Sequence, residues 1–269
     1  MFAFILFLGS LFGSAQPPST SYEDNMLSPI PLNTGEVLDF RLKYGWFTVG
    51  RAQWLTDSQY HDYDGEECYK FKVTAESSGI LGAFARVEDE WGEYMRVDDF
   101  MPMMTYRDLL EGKYILDEKI YYDYADSLIT MEWTRKGKEM PTEYTEMDVG
   151  RVGMLGGFMK MRCLDYSKYE VGDLIHIESF FEGEIYQMEI EYRGTEVLES
   201  LVGDVLAHKV IPRLPESTLF PGEDPVTMWV SADQNQLPLK AKARMYFGTA
   251  YVELSGYKNI KFGPDFIDD

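Results

Sequence analysis

The sequence predicts a mainly β protein: two similar, curved antiparallel sheets joined through, or wrapped around, one short helix. Three observations point there. Apolar and polar residues alternate with period two through several segments. Turn residues separate those segments, and aromatics make up 15% of the chain, which suits half-buried pleated faces.

The elements follow in chain order. Phe2–Leu8 is an apolar run, continued by Leu11 and Phe12 and closed by Gly13-Ser14-Ala15. Small residues there match a signal-peptidase site, so residues 1–15 read as a secretory leader cut after Ala15. No Lys or Arg precedes the run, and no Cys lies near the cut, which disfavours a lipid-anchored form. Residues 16–34 are rich in Pro, Ser and Asn without periodicity and read as a flexible tether. From Gly35 to residue 264 the chain is patterned. Tyr114, Leu116, Ile120 and Tyr122 alternate with charged or polar residues, as do Tyr186, Met188, Ile190 and Tyr192, and Leu239, Ala241, Ala243 and Met245. Such alternation marks strands with one buried and one wet face. Asp64-Gly65, Gly137, Glu182-Gly183 and Gly248 sit between these runs as turns. Residues 149–164 break the pattern. Val152, Leu155, Met159 and Cys163 recur at helical spacing behind Asp148 as a candidate N-cap. Glycines at 150, 153, 156 and 157 each cost about 1 kcal/mol against Ala in a helix. A second short helical turn is expected near Ser78–Phe84.

The two halves, about 35–140 and 170–262, echo each other at a nearly constant offset. Gly35-Glu36-Val37-Leu38 recurs as Gly172-Asp173-Leu174-Ile175. Tyr94-x-Arg96-x-Asp98 with Pro102 recurs as Trp229-x-Ser231-x-Asp233 with Pro238, and Gly112 as Gly248. Ordered matches at one offset point to a duplicated β unit. Two six-stranded sheets of this kind could pair edge to edge around the 149–164 helix.

Composition bounds the function. Removal of the leader leaves about 254 residues, enough for a self-sufficient core. No later segment is long and apolar enough to span a bilayer. Acidic residues number 46 against 25 basic, a net charge of −21. A nucleic-acid partner needs a basic face, and adhesion to anionic lipid is disfavoured for the same reason. Cys68 and Cys163 are the two cysteines. In an oxidising compartment they could form one disulfide, closing a loop of about 96 residues and contributing on the order of 4 kcal/mol. Two buried free thiols account for them equally well.

Motifs for chemistry are wanting. His61, His176 and His208 stand apart, and there is no HExxH, CxxC, GxSxG, P-loop or GxGxxG. The densest acidic stretch, His61–Glu67, reads as a hairpin turn rather than a calcium loop, because its Gly falls at the wrong position. No enzyme activity, cofactor or metal is expected. Of the aromatics, Trp91, Tyr94 and Trp229 are the candidate ligand-contacting residues; ordinary core packing is the plainer account of them.

The residues Gly35-Glu36, Arg41–Tyr44, Gly50-Arg51-Ala52, Glu111–Tyr114, Ile190–Glu196 and Trp229-x-Ser231-x-Asp233…Pro238 together resemble an exported bacterial family, the domain of unknown function 3108 family. The resemblance covers about Gly35 to Gly263. It implies an exported β-rich fold akin to open half-barrels that wrap a helix, and it supplies no catalytic residues. The chain departs from the family pattern at His208, where many members carry Cys. The expectation is an exported, periplasmic or secreted protein that is neither an enzyme nor a lipoprotein, binding an amphipathic ligand or an envelope partner on a concave β face. Glycan binding or processing is the alternative, with two carboxylates at hydrolase separation as its signature.

Overall fold

The computed structural model describes residues 25–79, 86–147, 154–181, 184–213 and 224–267. The expected leader, the expected turn beyond Gly79 and the first residues of the 149–164 segment lie outside them. The first half of the chain forms β1 (Val37–Tyr44), β2 (Phe47–Thr56), β3 (His61–Tyr63), β4 (Glu66–Ser77), β5 (Val87–Arg96), β6 (Pro102–Glu111), β7 (Tyr114–Asp123), β8 (Leu128–Arg135), β9 (Lys138–Glu139) and β10 (Glu143–Glu146). Helix α1 (Met154–Cys163) follows. The second half forms β11 (Leu174–Phe181), β12 (Glu184–Ser200), β13 (Gly203–Arg213), β14 (Val226–Ser231), β15 (Pro238–Met245) and β16 (Gly248–Lys258). All pairings are antiparallel, as the alternating pattern requires.

The strands make one sheet in the order β10-β8-β7-β6-β5-β4-β2-β1-β16-β15-β14-β13-β12-β11. Each half is thus a meander, and the two join edge to edge where β1 pairs with β16 from Val37↔Lys258 to Tyr44↔Ala250. Pro102 opens β6 and Pro238 opens β15, the first residue of a strand being a place where a missing N–H costs the ladder least. Asp64 and Gly65 take φ of 55° and 85° between β3 and β4, the two left-handed residues a tight hairpin needs.

The sheet is bent, and it does not close: β10 and β11 are its two edges among the described residues. Register shifts between β1 and β16, β1 and β2, β5 and β6, β12 and β13, and β14 and β15 supply the local twist and bend that bulges introduce. Edge β10 reads Glu-Tyr-Thr-Glu, charges that discourage pairing with another chain.

Helix α1 lies inside the bend. Tyr69, Phe71 and Met95 from β4 and β5 share one core with Ile175, Ile177, Ile190, Val210, Val226 and Met228 from β11–β14, through Met159, Met161 and Cys163 of the helix. Those strands are far apart in the sheet, so the helix fills the concave face between them. Leu155, Met159 and Cys163 are buried at the expected spacing, and Met161 and Arg162 are buried too. A helix covered all round is the mark of an internal one. The loose tether does not extend to residues 25–34. The Leu27 N–H donates to the Cys163 carbonyl at 2.8 Å, Leu32 is buried, and Met26 and Ile30 pack on the same core. Their apolar side chains cover the sheet beside α1, where burial outweighs the cost of ordering them.

Candidate functional site

The residues that anchor α1 come from widely separated strands. At its amino end Glu93 Oε2 accepts from the Gly156 N–H at 3.0 Å, so a carboxylate meets the N–H groups that a helix start leaves unsatisfied. The approach is close: a Cβ on Gly156 would stand 2.5 Å from Glu93 Oε1, which explains a glycine inside this helix. At its carboxyl end Gln236 Nε2 donates to the Leu164 carbonyl at 2.8 Å and to the Arg162 carbonyl. Between them Arg162 forms a two-pronged buried pair with Glu36, donates to the Asn235 carbonyl at 3.1 Å through Nε, and to the Pro31 carbonyl at 3.1 Å. Asn235 is fully buried, and its side chain exchanges hydrogen bonds with the backbone of Phe262. The Gly-Glu opening and the Asp233–Pro238 turn therefore act as clamps on the helix.

That turn is self-satisfied, with Asp233 Oδ1 accepting from Ser231 Oγ at 2.6 Å and from the Asn235 and Gln236 N–H groups at 3.0 and 3.1 Å.

Beyond the carboxyl end of α1 an open cleft of about 870 Å³ is lined by Tyr166, Tyr169, Tyr192 and His208 on one side, and by the 232–236 turn and Gly263–Asp265 on the other. Asp165, Asp233 and Asp265 lie around it. A 3-10 turn (Tyr166–Lys168), capped by Asp165, swings Tyr166 under the cleft. The Tyr166 ring stacks on His208 at 4.5 Å between centroids, and the Tyr192 hydroxyl and His208 Nδ1 share a hydrogen bond of 3.0 Å. Burial pushes the His208 pKa down to about 4, so the ring is neutral at physiological pH. Burial likewise holds the hydroxyls of Tyr166, Tyr169 and Tyr192 above the ordinary tyrosine pKa. The cleft therefore combines an aromatic, uncharged wall with three carboxylic side chains. No sequence pattern marks it, because Tyr166, Tyr192, His208 and Asp233 meet only through the fold.

The sequence candidates sit in three different surroundings. Trp91 is buried on the concave face with Val73, Leu109, Leu116 and Leu155, and the Arg107 guanidinium lies 5.5 Å from its ring. Arg107 also grips Glu118 with two bonds of 2.6 Å. Tyr94 packs on His61 and Tyr63, with Lys70 Nζ 5.2 Å from its ring. Trp229 is buried, and its Nε1 donates to Glu196 Oε1 at 2.7 Å. None of the three lines the cleft. Cys68 and Cys163 are both buried free thiols, not joined as a disulfide, and burial raises their pKa to about 11 and about 12. High pKa and burial make both inert.

A second, smaller groove of about 360 Å³ is lined by Glu76, Glu88, Asp89, Glu90 and Asp108. Burial, then the neighbouring Glu111, raises Asp89 to about 7. No group of three or more His, Cys, Asp or Glu among the described residues is arranged to hold a metal ion.

Comparison with known proteins gives a fold and a family. No curated protein matches the chain. A β-barrel-like protein of domain of unknown function DUF1849 from Brucella abortus superimposes with a TM-score of 0.53 at 9% identity, over 87% of this chain and 100% of that one; at such identity the likeness is one of fold. A candidate exported protein with YmcC-like fold from Bacteroides fragilis NCTC 9343 gives 0.38 at 10% identity, over 87% and 100%. A candidate lipoprotein from Parabacteroides distasonis ATCC 8503 gives 0.30 at 10% identity, over 85% and 97%. The last two scores are too low to bear on this chain. The sequence itself matches a family described as protein of unknown function (DUF3108) over residues 39–255. That span runs from within β1 to within β16 and takes in α1 and the cleft wall, so the chain belongs to the DUF3108 family.

Proposed function

We propose that this chain is an exported, non-enzymatic binding protein of the cell envelope, whose ligand is amphipathic and places a cationic or zwitterionic head in the cleft at the carboxyl end of α1. The observation that carries this reading is the cleft: about 870 Å³, walled by neutral aromatic side chains and ringed by Asp165, Asp233 and Asp265. Aromatic faces and edges with nearby carboxylates suit an alkylammonium group, through cation–π attraction and charge. Helix α1 packs on the concave face together with Met26, Ile30 and Leu32, and the open cleft lies at the helix end.

Export rests on the apolar Phe2–Phe12 run and Gly13-Ser14-Ala15. Among the described residues no helix is long and apolar enough to cross a membrane. The absence of an activity is supported by the engagement of the cleft's polar groups: Asp233 and Asp165 hold their own turns, and His208 is neutral and stacked.

The test uses dodecylphosphocholine below its micellar concentration, followed by native mass spectrometry and calorimetry. One bound molecule is expected, and Ala232→Phe, which fills the cleft from its lining, should weaken binding about tenfold or more without changing the melting temperature. Absence of binding, or equal binding by the variant, overturns the reading. Binding of envelope oligosaccharides in its place would establish the glycan alternative.

A further inference from the structure

Two hairpin tips stand side by side at one end of the sheet. β1 turns into β2 through Gly45-Trp46, and β15 into β16 through Tyr246-Phe247; because β1 pairs with β16, the tips are neighbours. They are tied together. The Gly45 N–H donates to the Thr249 carbonyl at 2.8 Å, and the Tyr44 hydroxyl donates to the Phe247 carbonyl. Gly248, at φ +133°, lets the second tip pass the Tyr44 ring; a Cβ there would lie 2.9 Å from the Tyr44 hydroxyl.

These tips present aromatic rings to solvent. Trp46 is 86% exposed, Phe47 68%, Tyr246 60% and Phe247 91%. Large apolar side chains grouped in this way on a soluble surface mark an interaction site. The charge around them reverses that of the molecule. Residues 40–56 and 234–252 contain no Asp or Glu, yet carry Arg41, Lys43, Arg51, Lys240, Lys242 and Arg244, in a chain of net charge −21. Some of this charge is shared with neighbours: Lys43 and Lys240 both reach Glu253 at 3.3 Å, and Arg51 reaches Glu76 at 2.8 Å. Glu253 stands level with Arg41 and Lys240, and Arg41 with Arg51, in the strand register, while Lys43, Lys242 and Arg244 lie nearer the tips. A surface touching the tips therefore meets the exposed rings first and then Arg244, Lys242 and Lys43, with Asp224 beside Arg244.

We infer that the paired tips dock this protein on the interfacial region of an anionic lipid bilayer. Trp, Tyr and Phe are the side chains that favour the headgroup boundary, and nearby Lys and Arg add attraction to anionic lipid. The tips are two-residue hairpin turns that project their rings from the end of the sheet. A second copy docked through the same surface would bring like charges together across a two-fold axis. The acidic composition that argues against lipid adhesion for the whole chain does not hold at this end. Docking is independent of the cleft.

The test is co-sedimentation of the purified protein with vesicles of phosphatidylethanolamine and phosphatidylglycerol, with the emission of exposed Trp46 as a second readout. The protein should sediment with the vesicles, and its emission should shift to the blue. Trp46→Ser and Phe247→Ser should each weaken partitioning about tenfold, with melting temperatures unchanged because both rings are solvent-facing. Ala232→Phe should bind vesicles as the parent does, which separates this result from that of the cleft. No sedimentation, or equal sedimentation by the Trp46→Ser/Phe247→Ser variant, overturns the proposal. So does a dimer in solution that these substitutions dissolve.

Discussion

Glu36 and Arg162 are 1% and 4% exposed, and neither charge is tolerable without the other. Removing one member of a buried pair leaves an uncompensated charge and costs about 3–5 kcal/mol, whereas replacing both with apolar residues of similar size can be neutral. Glu36→Ala should therefore lower the urea midpoint sharply, and Glu36→Leu/Arg162→Met should recover most of the loss. His208 works through its proton. Its folded-state pKa lies near 4 against an ordinary 6.5, so the unfolded chain takes up a proton first as pH falls. The stability that His208 contributes is present above pH 6.5 and is lost as pH falls toward 4; His208→Gln should flatten the melting temperature over that window. Asp89 has the opposite sign. Its pKa rises from 3.8 to about 7, so the folded state prefers the neutral acid and the penalty is full above pH 7. Asp89→Asn should stabilise the protein at pH 8 and make no difference below pH 3.8, as thermal melts at the two pH values will show.

At the scale of the element, α1 is the instructive case. Its existence was legible in the spacing of Leu155, Met159 and Cys163, although the glycines argue against a helix. The structure supplies the reason for Gly156: Glu93 occupies the space a Cβ would need. The sequence could not reveal that contact, nor the Arg162–Glu36 and Gln236–Leu164 bonds, because the partners lie 63, 126 and 72 residues away. Gly156→Ala should thus destabilise by about 1–3 kcal/mol from overpacking, although Ala is the better helix former; a rise in stability on equilibrium unfolding would show that Glu93 moves aside freely. The strands were more legible. β7 and β15 carry a period-two pattern that survives folding, because one face of each meets the core and the other meets solvent. The cleft was not legible: Tyr166 follows the helix, Tyr192 and His208 lie on β12 and β13, and only the pairing of β12, β13 and β14 and the docking of the helix end bring them to the 232–236 turn. The candidate residues Trp91 and Trp229 were chosen as large aromatics in a strand pattern, a signal that core packing produces equally well.

For the whole molecule, the account is of an open sheet whose concavity is occupied by its own helix. β1 pairs with β16 to make the two meanders continuous, and the clamps from Glu36, Glu93 and Gln236 fasten α1 to both. Such an arrangement leaves binding to the helix end and to the rim rather than to the interior face. Hydrogen exchange with and without dodecylphosphocholine, read by mass spectrometry, tests this most directly. The account predicts slow exchange throughout α1 in both states, with ligand protection confined to segments 165–169, 206–208, 232–236 and 263–265. Protection spread along the concave strands, with α1 exchanging faster once ligand is bound, would mean that the helix leaves to admit the ligand, and would contradict it.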